Sequence, residues 1–289
     1  MTENSKARIT LITGGTEGLG KAMALRLARE GYRVFAAGRS AERRARLAEE
    51  AQKLILPITP IEMDVCNDLS VDRGLDEIRR VAGPVDVLIN NAGVAYGVTM
   101  EEIRMEDLRR QFETNYFAAV RLIQRVLPEM RARKRGWIVN MSSVSGRMTL
   151  PVMGPYSSTK HALEAMSDAL RHEVRPFGVR VILIEPGFIP TNIEKAAIEL
   201  AAQYRPQMEK GPYANVYNGF FRGWQKYTRA STTKPENCAE IVLGALREAE
   251  PAPRYAVPRK AGRRIWFMRM LPGKTTDRMI AREFGPIGS

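Results

Sequence analysis

From the start of the chain to about residue 185, short apolar runs alternate with longer stretches whose apolar residues return at helical spacing. Six runs predict strands: RITLIT from Arg8, RVFAA from Arg33, ITPIEM from Ile58, VDVLIN from Val85, WIVNM from Trp137 and VRVILIE from Val179. Several are apolar on both faces, which suits a strand covered by helices above and below. Between them, Gly18 to Glu30, Ala41 to Leu54 and Leu108 to Arg133 are long enough for crossover helices. This rhythm predicts an α/β fold with a doubly wound parallel sheet. It breaks after Pro186-Gly187: residues 188–232 hold helix-like pieces without a strand, and Pro235 then opens a helix to Glu248 before a short strand near Tyr255. With no linker and no internal repeat, residues 1–289 are expected to form a single domain, with 188–232 as a lid-like insertion and 251–289 as a basic C-terminal extension.

Composition narrows the classes without choosing among them. At 44% hydrophobic and 27% charged the chain of 289 residues is globular. Two isolated cysteines, Cys66 and Cys238, cannot build a disulfide framework or a zinc site, so no metal is expected and a reducing, cytoplasmic setting fits. The polar start has no long apolar core of a leader, and no apolar run reaches the roughly 20 residues of a membrane span. Residues 251–289 carry nine Lys+Arg against two Asp+Glu, about half of the net charge of +13. Within them Arg263-Arg264-Ile265-Trp266-Phe267-Met268-Arg269-Met270-Leu271 mixes cations with bulky apolar groups. Such a segment suits a peripheral helix at a membrane surface, or one that packs on its own subunit or on a twin. No recognition module accompanies the charge, so no nucleic-acid partner is expected.

The first chemistry lies at Thr13 to Gly20, TGGTEGLG, directly after the first strand and before the first helix. Gly14 permits the tight turn, Gly18 lets backbone approach a pyrophosphate, and Gly20 lets helix pack on sheet, while the helix N-terminus offers N–H groups and a positive dipole end. A dinucleotide is the natural ligand of this Rossmann-type arrangement.

The spacing TGxxxGxG resembles the cofactor loop of the short-chain dehydrogenase/reductase family. Further family marks follow in order: Asn90-Asn91-Ala92-Gly93 after strand four, Asn115 in the next helix, Ser143 after strand five, Tyr156 to Lys160 as a YxxxK match, and Pro186-Gly187 after strand six. The resemblance implies an oxidoreductase with Asn115, Ser143, Tyr156 and Lys160 as its catalytic set, Asn115 holding a water that links Lys160 to solvent. It implies cofactor contacts from Gly14, Thr16, Gly18, Leu19, Gly20, Asp64, Val65, Asn91, Ala92, Gly93, Pro186, Gly187 and Thr191, as well as Tyr156 and Lys160. Family members that use NAD usually carry an acid at the end of strand two. Here Ala37-Gly38-Arg39 replaces it with a guanidinium that can grip a 2′-phosphate, with Arg43 or Arg44 assisting, so NADP is expected over NAD. Glu17 departs from the NADP pattern, which often has a base in the glycine loop.

At the reacting end, Tyr156 can donate or accept the proton that accompanies hydride transfer. Lys160 shares its helical face at i+4. An ammonium about 4 Å away would supply the roughly 3 to 4 kcal/mol needed to bring a phenol with a pKa of about 10 towards neutrality. His161 and His172 lack a carboxylate partner at fixed spacing and read as helix polarity. Seven of the 21 aromatics fall between Tyr204 and Tyr227, as a lid over an apolar pocket or as packing of the insertion on the sheet. Val144, Met153 and Phe188 are the candidate substrate contacts, with Met148 nearby, and their character predicts a lipophilic partner. The expected function is therefore NADP-dependent interconversion of a lipophilic secondary alcohol with its ketone or aldehyde, in a homo-oligomer. The rival is a dinucleotide-sensing or membrane-surface protein of the same fold without turnover.

Overall fold

The computed structural model describes residues 7–189 and 199–285. Seven parallel strands form one sheet in the order β3-β2-β1-β4-β5-β6-β7: β1 (Ile9–Thr13), β2 (Arg33–Gly38), β3 (Ile58–Glu62), β4 (Val87–Asn90), β5 (Gly136–Met141), β6 (Val179–Pro186) and β7 (Arg254–Val257). Each strand expected from an apolar run is present within two residues of its bounds. β1, β4 and β5 are buried at every position, and alternate residues feed opposite faces. Ile12, Val34, Ala36, Ile89 and Val139 enter one core with α1 (Gly18–Arg29), α2 (Ala41–Lys53) and the later helix α9 (Pro235–Arg247). Leu11, Phe35, Leu88, Ile138 and Val181 enter the other with α3 (Asp68–Val81), α5 (Ala118–Ala132) and α6 (Gly154–Val174). Two dry faces are what the doubly apolar runs require.

The segment expected as one helix from Leu108 to Arg133 differs in detail. It begins earlier, as α4 (Met105–Phe112), and passes through a π-helical turn at Glu113–Phe117 before α5. No Pro or Gly marks the turn. Asn115, at its centre, instead uses its side chain to accept from Val94 N at 2.8 Å and to donate to Val94 O at 2.9 Å and to Thr159 Oγ1 at 3.0 Å. Such widened turns recur at functional sites.

After β6, the described part of the insertion is helical, as expected, with α7 (Arg205–Lys210) and α8 (Ala214–Ala230). After β7 come α10 (Arg259–Met270) and α11 (Gly273–Phe284). Of the two readings of the aromatic cluster, packing accounts for its centre. Tyr204, Tyr217 and Phe220 are buried, and the Tyr217 hydroxyl accepts from Thr99 N at 3.1 Å and donates to Glu102 at 2.6 Å. Phe284 of α11 stacks on Tyr227 of α8 with centroids 5.5 Å apart, so the insertion and the end of the chain form one apolar layer beside the sheet.

Candidate active site

All parallel strands end on one side, and the loops that leave β1, β4, β5 and β6 there bring the predicted residues together. Gly14 and Gly18 have φ of +60° and +53°, the left-handed region where only glycine is unstrained. A Cβ on Gly20 would lie 2.1 Å from Gly14 O. Glu17 precedes the first turn of α1 but caps none of its N–H groups; its carboxylate pairs with Arg43 instead. The first turn therefore keeps free donors beside a side-chain-free loop, a cradle that fits a dinucleotide pyrophosphate. Thr16 packs under Gly38, and Leu19 packs on the core beneath the loop.

Asn91 braces this loop from behind. Its Nδ2 donates to Thr13 O at 2.9 Å and to Gly14 O at 3.2 Å, while Asn91 N and Ala92 N both donate to Thr13 Oγ1. Gly93 leaves room for Asn115, whose Oδ1 would be 3.3 Å from a Cβ there. Asp64 Oδ1 accepts from Cys66 N at 3.0 Å, and Val65 is buried. Beyond them opens a hollow of about 410 Å³ lined by Arg39, Cys66, Val94, Arg109, Arg110, Glu113 and Thr114. The size and position suit the adenosine half of a dinucleotide. Arg39 is exposed at its edge and, among the described residues, meets no carboxylate. Arg44, expected as a helper, is committed elsewhere: its guanidinium donates to Gly38 O, Arg39 O and Glu62. Arg43 is held by Glu17, so neither assists in this structure, and Glu17 is in turn neutralised. Thr191 lies outside the described residues.

At the reacting end Ser143 stands at the C-terminal end of β5. Its hydroxyl lies 3.3 Å from Pro186 O and accepts from Ser145 N at 3.0 Å, while Gly187 N ties the next residue to Val257 O of β7. Tyr156 and Lys160 rise from the first turns of α6. Lys160 is buried, its Nζ donating to Met141 O at 2.8 Å and lying 5.7 Å from the Tyr156 ring centroid. The pKa shifts run opposite to the expectation of a readily formed phenolate. Burial pushes the Tyr156 phenol up to about 12, against the smaller opposing effect of the Ser143 hydroxyl. Burial lowers the Lys160 ammonium to about 8, opposed by the Glu164 charge. Desolvation, not the attraction that the i+4 spacing promised, sets both directions. Burial thus favours the neutral phenol, the form that can donate a proton.

A cavity of about 10 Å³ lies against Asn90, Asn115, Met141 and Lys160, about the space of one water, and the buried Asn90 Oδ1 has no hydrogen-bond partner among the described residues. The Asn115 side chain beside it accepts from Val94 N and donates to Val94 O and Thr159 Oγ1. His161 is exposed and its ring bonds Ser157 O at 2.9 Å, away from this chemistry.

Sequence reasoning missed a buried charge network under the site. Glu164, one turn beyond Lys160, and Glu185, just before Pro186, are each nearly inaccessible. Arg254 of β7 reaches Glu164 at 3.0 Å, Glu185 at 3.5 Å and Asp168, and Arg147 reaches Glu185 at 3.0 Å. Burial raises the Glu164 carboxyl above its ordinary range, with the Ser142 hydroxyl opposing and the Glu185 charge adding to the rise. The one available signal was a carboxylate within an otherwise apolar strand, Glu185 in VRVILIE.

On the substrate side, Val144 is half-buried and Met153 buried. Phe188 stacks on Tyr227 at 5.2 Å and meets Trp224 edge-on at 4.8 Å. Met148, Met153, Phe188, Trp224 and Tyr156 belong to one apolar cluster, which gives the phenol an apolar wall. Among the described residues no three His, Cys, Asp or Glu gather as metal ligands, and no helix is long and apolar enough to cross a membrane.

A family model described as short chain dehydrogenase matches residues 8–201. The sequence is 41% identical over 289 aligned residues to the NADPH-dependent 3-dehydrocapnine reductase of Ornithobacterium rhinotracheale, covering 96% of this chain and 97% of that one. It is 38% identical over 185 residues to the 3-ketodihydrosphingosine reductase of Bacteroides thetaiotaomicron, covering 64% and 65%; the oxidoreductase YusZ of Bacillus subtilis is likewise matched over 66% of its own length. Among solved structures, an actinorhodin polyketide ketoreductase with NADPH superposes with a TM-score of 0.72 at 27% identity, over 87% of this chain and 95% of that one.

Proposed function

Because the chain belongs to the short-chain dehydrogenase/reductase family, and so is an oxidoreductase that works with a nicotinamide dinucleotide, we propose that it reduces the ketone of a lipophilic, long-chain substrate with NADPH. The cofactor, when bound, supplies the hydride. The observation that carries the reading is the gathering of Tyr156, Ser143 and Lys160 at one place, with Lys160 Nζ 5.7 Å from the Tyr156 ring and the apolar wall of Met153 and Phe188 beside the phenol. Ser143 orients the carbonyl oxygen, Tyr156 gives it a proton as negative charge develops there, and Lys160 holds positive charge nearby. The names of two relatives, a 3-dehydro and a 3-keto reductase, support the reductive direction and the substrate class. NADPH is favoured by the unpaired Arg39 at the edge of the adenosine hollow, with Glu17 neutralised by Arg43. The working form is a homo-oligomer in the cytoplasm, with peripheral membrane contact through its basic end.

The test is a series of ketones of increasing chain length beside 3-ketodihydrosphingosine and a polyhydroxylated ketone of similar size, followed by consumption of NADPH. Each 100 Å² of added apolar contact is worth about 2.5 kcal/mol, well over tenfold in kcat/KM if the transition state realises it. A buried sugar hydroxyl would lose about 1 to 3 kcal/mol without a partner. Efficiency independent of chain length, or a preference for the polyol, would remove the apolar-substrate reading and leave the redox assignment in place.

The pH dependence of reduction follows from the shifted groups. Lys160 loses its charge as pH rises through about 8, so kcat/KM is expected to fall with a basic limb near that value. Glu164→Gln removes a charge that favours the ammonium, so the limb should move to lower pH. A limb that stays in place would detach Glu164 from Lys160.

A further inference from the structure

α10 presents two unlike faces. At about 100° per residue, Ala261, Ile265 and Met268 share the inner side. There Ile265 and Met268 are buried, and Ala261 Cβ lies 3.9 Å from where a side chain on Gly187 would begin. Arg259, Arg263, Trp266, Phe267 and Met270 share the opposite arc. Trp266, Phe267 and Met270 are 63%, 55% and 67% exposed, an unusual concentration of large apolar groups in water. Cations surround them: residues 259–282 hold eight Lys+Arg and a single acid, Asp277. Among the described residues only one α10 cation, Arg264, meets a carboxylate, that of Glu283.

We propose that this outer face of α10 seats the protein on a bilayer surface containing anionic lipid, with Trp266, Phe267 and Met270 entering the boundary between headgroups and acyl chains and Arg259, Lys260 and Arg263 meeting lipid phosphates. Indole and thioether groups flanked by long cationic side chains match that layered environment, apolar below and anionic above. Charge favours this occupant over a second copy, since a two-fold contact would set the same basic face against itself. The inner side of the same helix packs on the turn Val144–Gly146 that follows Ser143, and α11, which follows it, meets α8 through Phe284 and Tyr227. A protein seated in this way would hold the apolar side of its cleft close to the membrane from which a long-chain ketone must come. That purpose rests on the lipophilic-substrate reading; the binding itself does not.

The experiment floats the full chain, with NADPH, on phosphatidylcholine vesicles and on vesicles with about one third phosphatidylglycerol. Binding is expected to be on the order of tenfold tighter to the anionic vesicles, to weaken with added salt, and to fall by a further order of magnitude in Arg263→Glu and in the double variant Trp266→Ser, Phe267→Ser. These side chains are exposed, so sedimentation should show the same oligomer as the unmodified protein. In the unmodified protein, lipids brominated on the acyl chain should quench indole fluorescence, which tests insertion without any variant. Absence of flotation, absence of quenching, equal binding to both vesicles, or an oligomer that dissociates in the double variant would overturn the proposal, the last by making the face a subunit contact. Vesicle binding without ketone reduction would sink the ketone-reductase reading and leave this one standing; reduction without vesicle binding would do the reverse.

Discussion

Tyr156→Phe is expected to lower NADPH-linked ketone reduction about a thousandfold, with cofactor affinity changed by less than about twofold. General acid catalysis is typically worth 10² to 10⁴ in rate, and a thousandfold is about 4 kcal/mol of transition-state stabilisation. The middle of that range is expected because Tyr156 is partly buried against an apolar cluster, where a replacement donor is less readily at hand. The ring is kept by phenylalanine and the hydroxyl has Ser143 as its neighbour, so the fold should survive with little loss. Steady-state rates and a fluorescence titration with NADPH check both halves. If most turnover persisted, Tyr156 would not be the donor, and exposed His161, bonded to Ser157 O, would be a poor replacement.

Arg39→Asp should invert cofactor preference, with a change in the NADPH/NADH ratio on the order of 10³. Charge-assisted bonds to a phosphate are worth about 1.5 to 3 kcal/mol, and a carboxylate in the same place adds repulsion towards a 2′-phosphate while accepting hydrogen bonds from the ribose of NADH. The neighbouring cations cannot easily compensate. Arg44 is tied to two backbone carbonyls and Glu62, and Arg43 to Glu17. Comparing kcat/KM for the two cofactors in both proteins checks the inversion. Equal efficiencies in the unmodified protein would remove Arg39 as the selecting residue.

Much of this architecture is legible in sequence because a sheet buried on both faces leaves a strong trace, as VDVLIN and VRVILIE show, and because the site residues sit at the ends of those runs. What was illegible depended on contacts between distant segments. The π turn at Asn115 arises from bonds to Val94 and Thr159, 21 and 44 residues away, and leaves no local mark. The bracing of Thr13 and Gly14 by the Asn91 side chain, across nearly 80 residues of sequence, also leaves no local mark. The i+4 spacing of Tyr156 and Lys160 was visible, but the balance between attraction and desolvation was not, because burial is a property of the whole fold. The pairing of Glu164 and Glu185 through Arg254 was hidden for the same reason. The aromatic-rich insertion was ambiguous in sequence, and its central rings proved to be packing.

The most direct measurement follows a label. Purified protein is incubated with NADPH deuterated at the transferring carbon of its nicotinamide and with 3-ketodihydrosphingosine, and the product is examined by mass spectrometry and NMR. The expected product is the secondary alcohol carrying one deuterium on its carbinol carbon, formed at a rate that Tyr156→Phe suppresses. NADPH binding with no deuterium transferred to this or any other long-chain ketone would contradict the assignment and favour a dinucleotide sensor.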